Sequence, residues 1–125
     1  MRVPENVKYT EEHEWISVEG DIATVDITDY AQGELGDVVF VELPQVNASL
    51  KQMDAFGTIE AVKAVSDLFA PVSGTIVEIN EKIIDTPEIV NKDPYGDGWM
   101  IKIQMSDSKE LDKLLDAAHY KKKIS

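Results

Sequence analysis

The sequence contains no cysteine, so no disulfide can form and no protein thiolate can act as a nucleophile or metal ligand. No apolar run approaches the roughly 20 residues that a membrane-spanning helix needs. Only two histidines occur, His13 and His119, and they do not form an H-x-x-x-H pattern. The glycine motifs that bind phosphates or present a catalytic serine are also missing. These absences leave little material for a catalytic centre and predict that the protein is not an enzyme.

Basic residues are scarce: 12 Lys and Arg stand against 24 Asp and Glu, for a formal net charge of −12. Such a surface repels phosphate backbones, so we expect neither nucleic acid nor a membrane as a partner. It suits docking to a basic patch on another protein. The acidic segment 93–98, "DPYGDG", lacks the ligand order of a calcium loop, so no metal site is predicted.

The patterns that are present predict a mainly β fold in one domain spanning residues 1–125. Residues 14–27 alternate around the turn Gly20-Asp21, which is typical of a hairpin. Residues 57–80 predict three strands separated by a tight reversal and a turn at "PVSG". We expect a sandwich or flattened barrel with short peripheral helices.

Helices are predicted at two places. A short one falls within 28–37, and a C-terminal one spans about 107–119, opened by a capping box of Asp107 and Glu110. Residues 86–99 predict a long ordered loop. The C-terminal prediction depends on apolar residues at helical spacing, Leu111, Leu114, Leu115 and Ala118.

One lysine stands out within this pattern. Lys63 lies in "AVKAV", at the tight reversal between two predicted strands. A rigid turn would hold its amine in solvent, where an enzyme could acylate it and create a long swinging arm. A plain solvated lysine is the alternative, because exposed lysines are common.

Four segments together closely resemble the glycine cleavage H-protein family, in that family's order and spacing. The resemblance runs from about Lys8 to Leu115, which is most of the chain, and the segments that carry it are "YTEEHEW" (9–15), "ITDYAQGELGDVVFVELP" (27–44), "IEAVKAVSDLFAPVSG" (59–74) and "NKDPYGDGWMIKI" (91–103). The resemblance implies a lipoyl/biotinyl-carrier-like sandwich, a barrel-sandwich hybrid. It also implies that Lys63 carries lipoic acid in amide linkage.

The family's activity is that of a shuttle. The resemblance implies that the lipoyl arm takes an aminomethyl group from the P protein, a pyridoxal-phosphate glycine decarboxylase. The arm then serves the T protein, an aminomethyltransferase, and passes electrons to the L protein, dihydrolipoyl dehydrogenase. A lipoate ligase or lipoyltransferase would attach the arm. We expect a monomer in the cytoplasm, or in the mitochondrion if a transit peptide has been removed.

Four further residues match family positions. Glu60 and Gly74 match features recognised by the lipoylating enzyme, although Gly74 could simply serve the turn. Glu14 matches a position near the loaded arm, where a carboxylate can hold an ammonium group. Asp67 matches the same rim, with turn capping as an equal alternative.

The sequence departs from the family at three positions, where Asp26, Asn47 and Ala61 stand and the family often has Gly, Gly and Ser. Asn47 can keep a left-handed turn, whereas Asp26 is expected to alter packing beside the short helix. Ala61 loses a hydroxyl beside the lysine.

Alternatives remain open at the level of sequence. A biotin carrier usually has Met on both sides of its lysine, and a lipoyl domain of a 2-oxoacid dehydrogenase usually has D-K-A. A carrier that relays lipoyl groups to other complexes and a non-covalent interaction module with a bare Lys63 are the other two.

Overall fold

The computed structural model describes all 125 residues as a mainly β protein with short helices. The nine strands are β1 (Lys8–Tyr9), β2 (Glu14–Glu19), β3 (Ile22–Ile27), β4 (Val38–Glu42), β5 (Ser49–Leu50), β6 (Ala55–Ala61), β7 (Val65–Phe69), β8 (Gly74–Ile79) and β9 (Ile101–Met105). The helices are α1 (Asp29–Leu35), α2 (Lys82–Asp85), α3 (Ile89–Lys92), a 3₁₀ helix (Ser108–Lys113) and α4 (Ala117–Ile124).

The strands form two antiparallel sheets. The larger sheet has six strands in the order β1-β2-β3-β9-β8-β5, and the smaller has three in the order β4-β6-β7. The predicted hairpin at 14–27 is present as β2 and β3, with Gly20 at a φ of 65° in the turn. The three strands predicted in 57–80 are β6, β7 and β8, and the final core strand is β9.

The main hydrophobic core lies between the two sheets. Side chains from the larger sheet, such as Val25, Ile76 and Ile103, meet side chains from the smaller sheet, such as Ile59 and Leu68, in one cluster of 17 buried residues. Alternation along each strand supplies this layer, because every second side chain faces the opposite sheet. The predicted β-sandwich class is confirmed.

The structure corrects the single C-terminal helix predicted over 107–119. A 3₁₀ helix ends at Lys113, and α4 begins only at Ala117. Between them, the backbone of Leu115 pairs with Tyr9 through N···O distances of 2.7 and 2.8 Å. Asp116 then caps α4 by accepting from the His119 N–H at 2.9 Å. The leucine spacing marked partly buried residues, but a strand bridge and a new cap divide the segment.

Other local predictions also need correction. Asp107 does cap its helix, accepting from the Lys109 N–H at 3.0 Å. Glu110 does not complete a capping box, because its carboxylate accepts hydrogen bonds from the N–H and the hydroxyl of Ser73, each at 2.7 Å. Helix α3 interrupts the loop predicted over 86–99, and α2 was not predicted. None of the helices is both long and apolar enough to cross a membrane.

Candidate functional site

Lys63 lies at the tip of the β6–β7 hairpin. The Ala61 N–H donates to the Ala64 carbonyl at 2.9 Å, so Val62 and Lys63 form the two-residue reversal. Both residues are exposed, and Val62 keeps 73% of its surface in solvent. The lysine side chain makes no ion pair. The predicted reversal is therefore present, with the amine available at its tip.

The end of α1 holds this tip in place. The Lys63 N–H donates to the Leu35 carbonyl at 3.2 Å, and the Val62 N–H donates to the Asp37 carbonyl at 3.0 Å. The carbon stem of Lys63 lies over Gly36, where an added Cβ would be 3.4 Å from Cγ. Gly36 also needs its positive φ of 80° to end α1. The lysine is thus anchored by backbone contacts while its amine stays free.

Asn91 of α3 fastens the end of α1 to the smaller sheet. Its side-chain oxygen accepts from the Val38 N–H at 2.8 Å, and its amide donates to Gln32 Oε1 and the Gly36 carbonyl, each at 2.9 Å. One side chain therefore joins α1, α3 and β4 directly beneath the hairpin tip. The sequence offered no signal for this role, because Asn91 lies in the segment predicted as loop.

Exposed apolar side chains gather around Lys63. Phe40, Glu60 and Val65 lie directly opposite one another across β4, β6 and β7, which places them in one row. Phe40 and Val65 are 49% and 66% exposed. An irregularity between Val38 and Phe40 leaves Val39 exposed as well. Glu60 is therefore the charged member of an apolar surface beside the lysine.

The alternative explanation for Gly74 was that it simply serves the predicted turn, but Gly74 does not lie in that turn. It begins β8 and pairs with Leu50 and Met105. A Cβ at this position would lie 2.0 Å from the Gln104 carbonyl oxygen and 2.7 Å from Ile103 Cγ2. Close approach of β8 to β9 thus accounts for the glycine.

A groove of about 260 Å³ lies between α1, the start of β2 and the middle of β7. It starts at the base of Lys63, because Leu35 both lines the groove and accepts from the Lys63 N–H. Apolar and acidic side chains share the lining, which consists of Glu12, His13, Glu14, Ile27, Tyr30, Ala31, Glu34, Leu35, Ile59, Ser66, Asp67 and Leu68. A larger open depression of about 760 Å³ is polar and lies elsewhere, beside Gly74 and Glu110.

Glu14 is the most buried carboxylate of the groove, with 2% of its surface exposed. It accepts hydrogen bonds from the Thr10 hydroxyl and, at 3.3 Å, from the Phe69 N–H. Burial outweighs these bonds and raises the pKa of Glu14 to about 8. The groove therefore contains a carboxyl group that is largely neutral at pH 7 and that a nearby cation would ionise.

Asp67 lies in β7 on the same groove, exposed to solvent. Its carboxylate accepts no backbone hydrogen bond, so the turn-capping alternative is wrong. The structure brings Glu14 and Asp67 into one groove near the base of Lys63, whereas Gly74 does not line that groove.

Sequence reasoning missed the α1 side of the groove. Tyr30, Ala31, Glu34 and Leu35 follow one another at i, i+1, i+4 and i+5, which places them on one face of a helix. That spacing was readable in the sequence, but nothing in it indicated which surface the face would meet.

The three departures have separate structural settings. Asn47 has a φ of 78°, which confirms that it keeps a left-handed turn. Asp26 is fully buried, accepts from the Ile27 N–H at 2.7 Å, and leaves Oδ2 without a partner. Burial raises its pKa well above the ordinary value. Ala61 is 8% exposed and packs beneath the reversal.

The two-sheet sandwich, with an exposed hairpin-tip lysine beside a lined groove, defines a carrier domain of the lipoyl type. Comparison with known proteins supports this class. A family model described as "Glycine cleavage H-protein" matches residues 7–125. The glycine cleavage system H protein of Staphylococcus carnosus is 55% identical over 124 residues, covering 99% of this chain and 98% of the relative.

Two further comparisons agree. The H protein of Bacteroides thetaiotaomicron is 58% identical over 121 residues, covering 97% of this chain and 96% of the relative. A crystal structure of the H protein from Mycobacterium marinum superposes with a TM-score of 0.87 at 40% identity, covering 94% of this chain and 95% of that one. The chain belongs to the glycine cleavage H-protein family. It is a non-catalytic lipoyl carrier that works with the other components of the glycine cleavage system.

Proposed function

We propose that Lys63 carries lipoic acid in amide linkage and that the groove shelters the arm between visits to partner enzymes. The single observation that carries this proposal is the continuity between the two features. Leu35 bonds the Lys63 backbone through its carbonyl and also forms the groove wall. An arm attached at the lysine would thus start where the groove starts.

The residues present fit such a group. Lipoic acid supplies the two sulfurs that accept a one-carbon unit and electrons, and the chain has no cysteine of its own. The apolar part of the groove, including Ile27, Ile59 and Leu68, suits the hydrocarbon part of the arm. The acidic part suits a cationic amine.

Within the groove, Glu14 would hold the amine and Asp67 would add negative charge at the rim. A neutral Glu14 becomes ionised when a cation approaches, because an opposite charge favours the charged form. The buried carboxylate then attracts the amine more strongly than an exposed one would, since water screens it less. Enclosure by the groove also keeps water from the labile group.

Recognition by the lipoylating enzyme would use the surface around the tip. Glu60 lies between Phe40 and Val65, so an enzyme that takes in Lys63 would cover all three side chains. Gly74 would contribute by allowing β8 to lie close to β9.

The cycle proposed for the carrier joins the P protein, the T protein and the L protein, in that order. A lipoate ligase or a lipoyltransferase attaches the arm beforehand. We further propose that the chain acts as a monomer, as one domain over residues 1–125, in the cytoplasm.

Intact-mass measurement tests the attachment. Wild-type protein, Lys63→Arg and Lys51→Arg are each incubated with lipoate, ATP and a lipoate ligase, and in parallel with an octanoyl or lipoyl donor and a lipoyltransferase. Lys51 is a matched control, because it is also exposed but precedes β6, whereas Lys63 follows that strand at the hairpin tip. We expect one lipoyl group on wild type and Lys51→Arg, and none on Lys63→Arg.

Lipoylation of Lys63→Arg would contradict the assignment. Unmodified wild type with both enzymes would favour a non-covalent interaction module instead. Glycine–bicarbonate exchange with the P protein then separates a glycine cleavage carrier from one that only relays lipoyl groups.

Loaded protein tests the groove. Glu14→Ala should lose its aminomethyl group faster than wild type, because the amine loses its buried partner. Glu11→Ala removes an exposed carboxylate that does not line the groove and provides the control. Equal decay of Glu14→Ala and wild type would remove Glu14 from the proposal.

A further inference from the structure

A buried hydrogen-bond chain connects the groove to the C-terminal helix. The hydroxyl of Tyr120, on α4, lies 2.9 Å from His13 Nδ1 and 2.7 Å from Thr28 Oγ1. Tyr120 and Thr28 are both fully buried. His13 lines the groove, where its ring lies 5.0 Å from that of Tyr30. His13 and Tyr120 are 107 positions apart in sequence, so only the fold brings them together.

The direction of each hydrogen bond follows from counting protons. Thr28 Oγ1 already accepts from the Ala31 N–H at 3.2 Å as the cap of α1, so its own proton needs an acceptor. The Tyr120 oxygen is the partner within reach. Tyr120 must then donate to His13 Nδ1. The reverse arrangement would leave the Thr28 proton buried without an acceptor, at a cost of about 1–3 kcal/mol.

Two further observations describe the groups in this chain. Burial raises the pKa of Tyr120 to about 12, so its hydroxyl keeps the proton it donates. The backbone of His13 is held at a φ of 71° by bonds from its N–H to the Thr10 carbonyl and from the Thr28 N–H to its own carbonyl, at 3.3 and 3.0 Å. The ring is thus fixed on both its backbone and its Nδ1 side.

We propose that His13 is a neutral hydrogen-bond donor of the groove through Nε2–H, and that Tyr120 is the positioning residue that fixes this tautomer. Nε2 has no partner within the protein, so it is the ring nitrogen left for a bound arm. The amide oxygen and the sulfur atoms of a lipoyl arm are acceptors that such a donor can bind. The proposal deepens the proposed function but concerns the protein before any arm is attached.

The neutral state matters because of the charges around the ring. Burial and Lys123 lower the pKa of His13, while Glu12 and Glu34 act in the opposite direction. Glu14 and Asp67 also line the groove, and Tyr30 and Tyr120 contact the ring. A protonated His13 would repel a cationic amine beside it. A neutral one leaves the negative charge of the groove uncompensated.

The test is a long-range ¹H–¹⁵N spectrum of the histidine rings, recorded on unlipoylated protein between about pH 5 and 8. The wild-type spectrum should show the Nε2–H tautomer for His13, with Nδ1 accepting a hydrogen bond. Tyr120→Phe removes the hydroxyl but keeps the ring that stacks on Tyr9 at 4.4 Å. We expect mixed tautomers in this variant and a higher pKa of His13 than in wild type, because the neutral ring loses the hydrogen bond that it accepts at Nδ1.

Tyr9→Phe is the matched control. Tyr9 is equally buried in the same stack, but its hydroxyl donates to the Pro4 carbonyl and does not contact His13. Its removal should leave the His13 signals unchanged. His119, the other histidine, is exposed and serves as an internal reference in every sample.

An Nδ1–H tautomer in wild type would overturn the proposal, and this result does not depend on the folding of any variant. Unchanged His13 signals in Tyr120→Phe would also overturn it. On loaded protein, Tyr120→Phe should release the aminomethyl group several-fold faster near pH 6 than wild type, with a smaller difference near pH 8, where only the loss of the fixed tautomer acts. Failure of Lys63 lipoylation would defeat the proposed function while leaving the spectra of the unlipoylated protein to decide this proposal.

Discussion

Replacing Glu14 with glutamine should make the protein more resistant to unfolding as pH rises. In the folded protein, burial holds the pKa of Glu14 at about 8, against an ordinary value of 4.5. Between these values the unfolded chain gives up a proton that the folded chain keeps. Stability therefore falls as pH rises through this window. Glutamine does not titrate, so the variant avoids the loss.

The size of the effect follows from the pKa difference. One pH unit corresponds to about 1.4 kcal/mol, so the difference between Glu14→Gln and wild type should grow by about 3 kcal/mol from about pH 5.5 to 7.5. Its upper limit is about 5 kcal/mol once Glu14 is fully ionised. Glutamine also loses one of the two hydrogen bonds that Glu14 accepts, from Thr10 and Phe69. That loss does not depend on pH, so only the slope is diagnostic.

Urea unfolding measured across this range, followed by the fluorescence of buried Trp15, gives the free energies. Glu11→Gln replaces an exposed carboxyl group nearby that does not contribute to the raised pKa of Glu14, and it should run parallel to wild type. If the difference in the free energy of unfolding between Glu14→Gln and wild type stays constant or narrows as pH rises, burial does not dominate the pKa of Glu14 and the reasoning is refuted.

Three further results are expected. Gly74→Ala should destabilise the protein by about 2 kcal/mol or more in thermal unfolding, because its Cβ would lie 2.0 Å from the Gln104 oxygen. Gly33 lies in α1 with open space around it, so Gly33→Ala should instead stabilise the protein by about 0.5–1 kcal/mol. Equal changes in stability for the two variants would argue against the close contact between Gly74 and Gln104. Asn91→Ala should lower the free energy of unfolding in urea by about 2–3 kcal/mol and slow lipoylation of the hairpin above it. Lipoylation at the wild-type rate would show that the Asn91 contacts do not position the hairpin tip. Asp26→Asn should be more stable than wild type at alkaline pH, since the buried carboxyl with its raised pKa must otherwise ionise; thermal unfolding near pH 6 and 9 would show no such gain if Asp26 were solvated.

Local signals predicted the strands well and the C-terminal region less well. The hairpin at 14–27 was readable because its alternation and its Gly20 turn act over neighbouring residues. The helix predicted over 107–119 was wrong because the Leu115 backbone pairs with Tyr9, a contact that no helical spacing encodes. Glu110 had the spacing of a cap, but Ser73 takes its carboxylate in the fold.

The sequence by itself determined the β-rich class, the family resemblance, and the choice of Lys63 as the site residue. These follow from residue types and short spacings, which chain neighbours alone define. Only the tertiary structure decided how the hairpin tip rests on α1, how Glu14 becomes buried and largely neutral, and how Tyr120 reaches His13. Each of these depends on loss of water and on contact between distant segments. Such effects exist only once the two sheets and the helices have packed together.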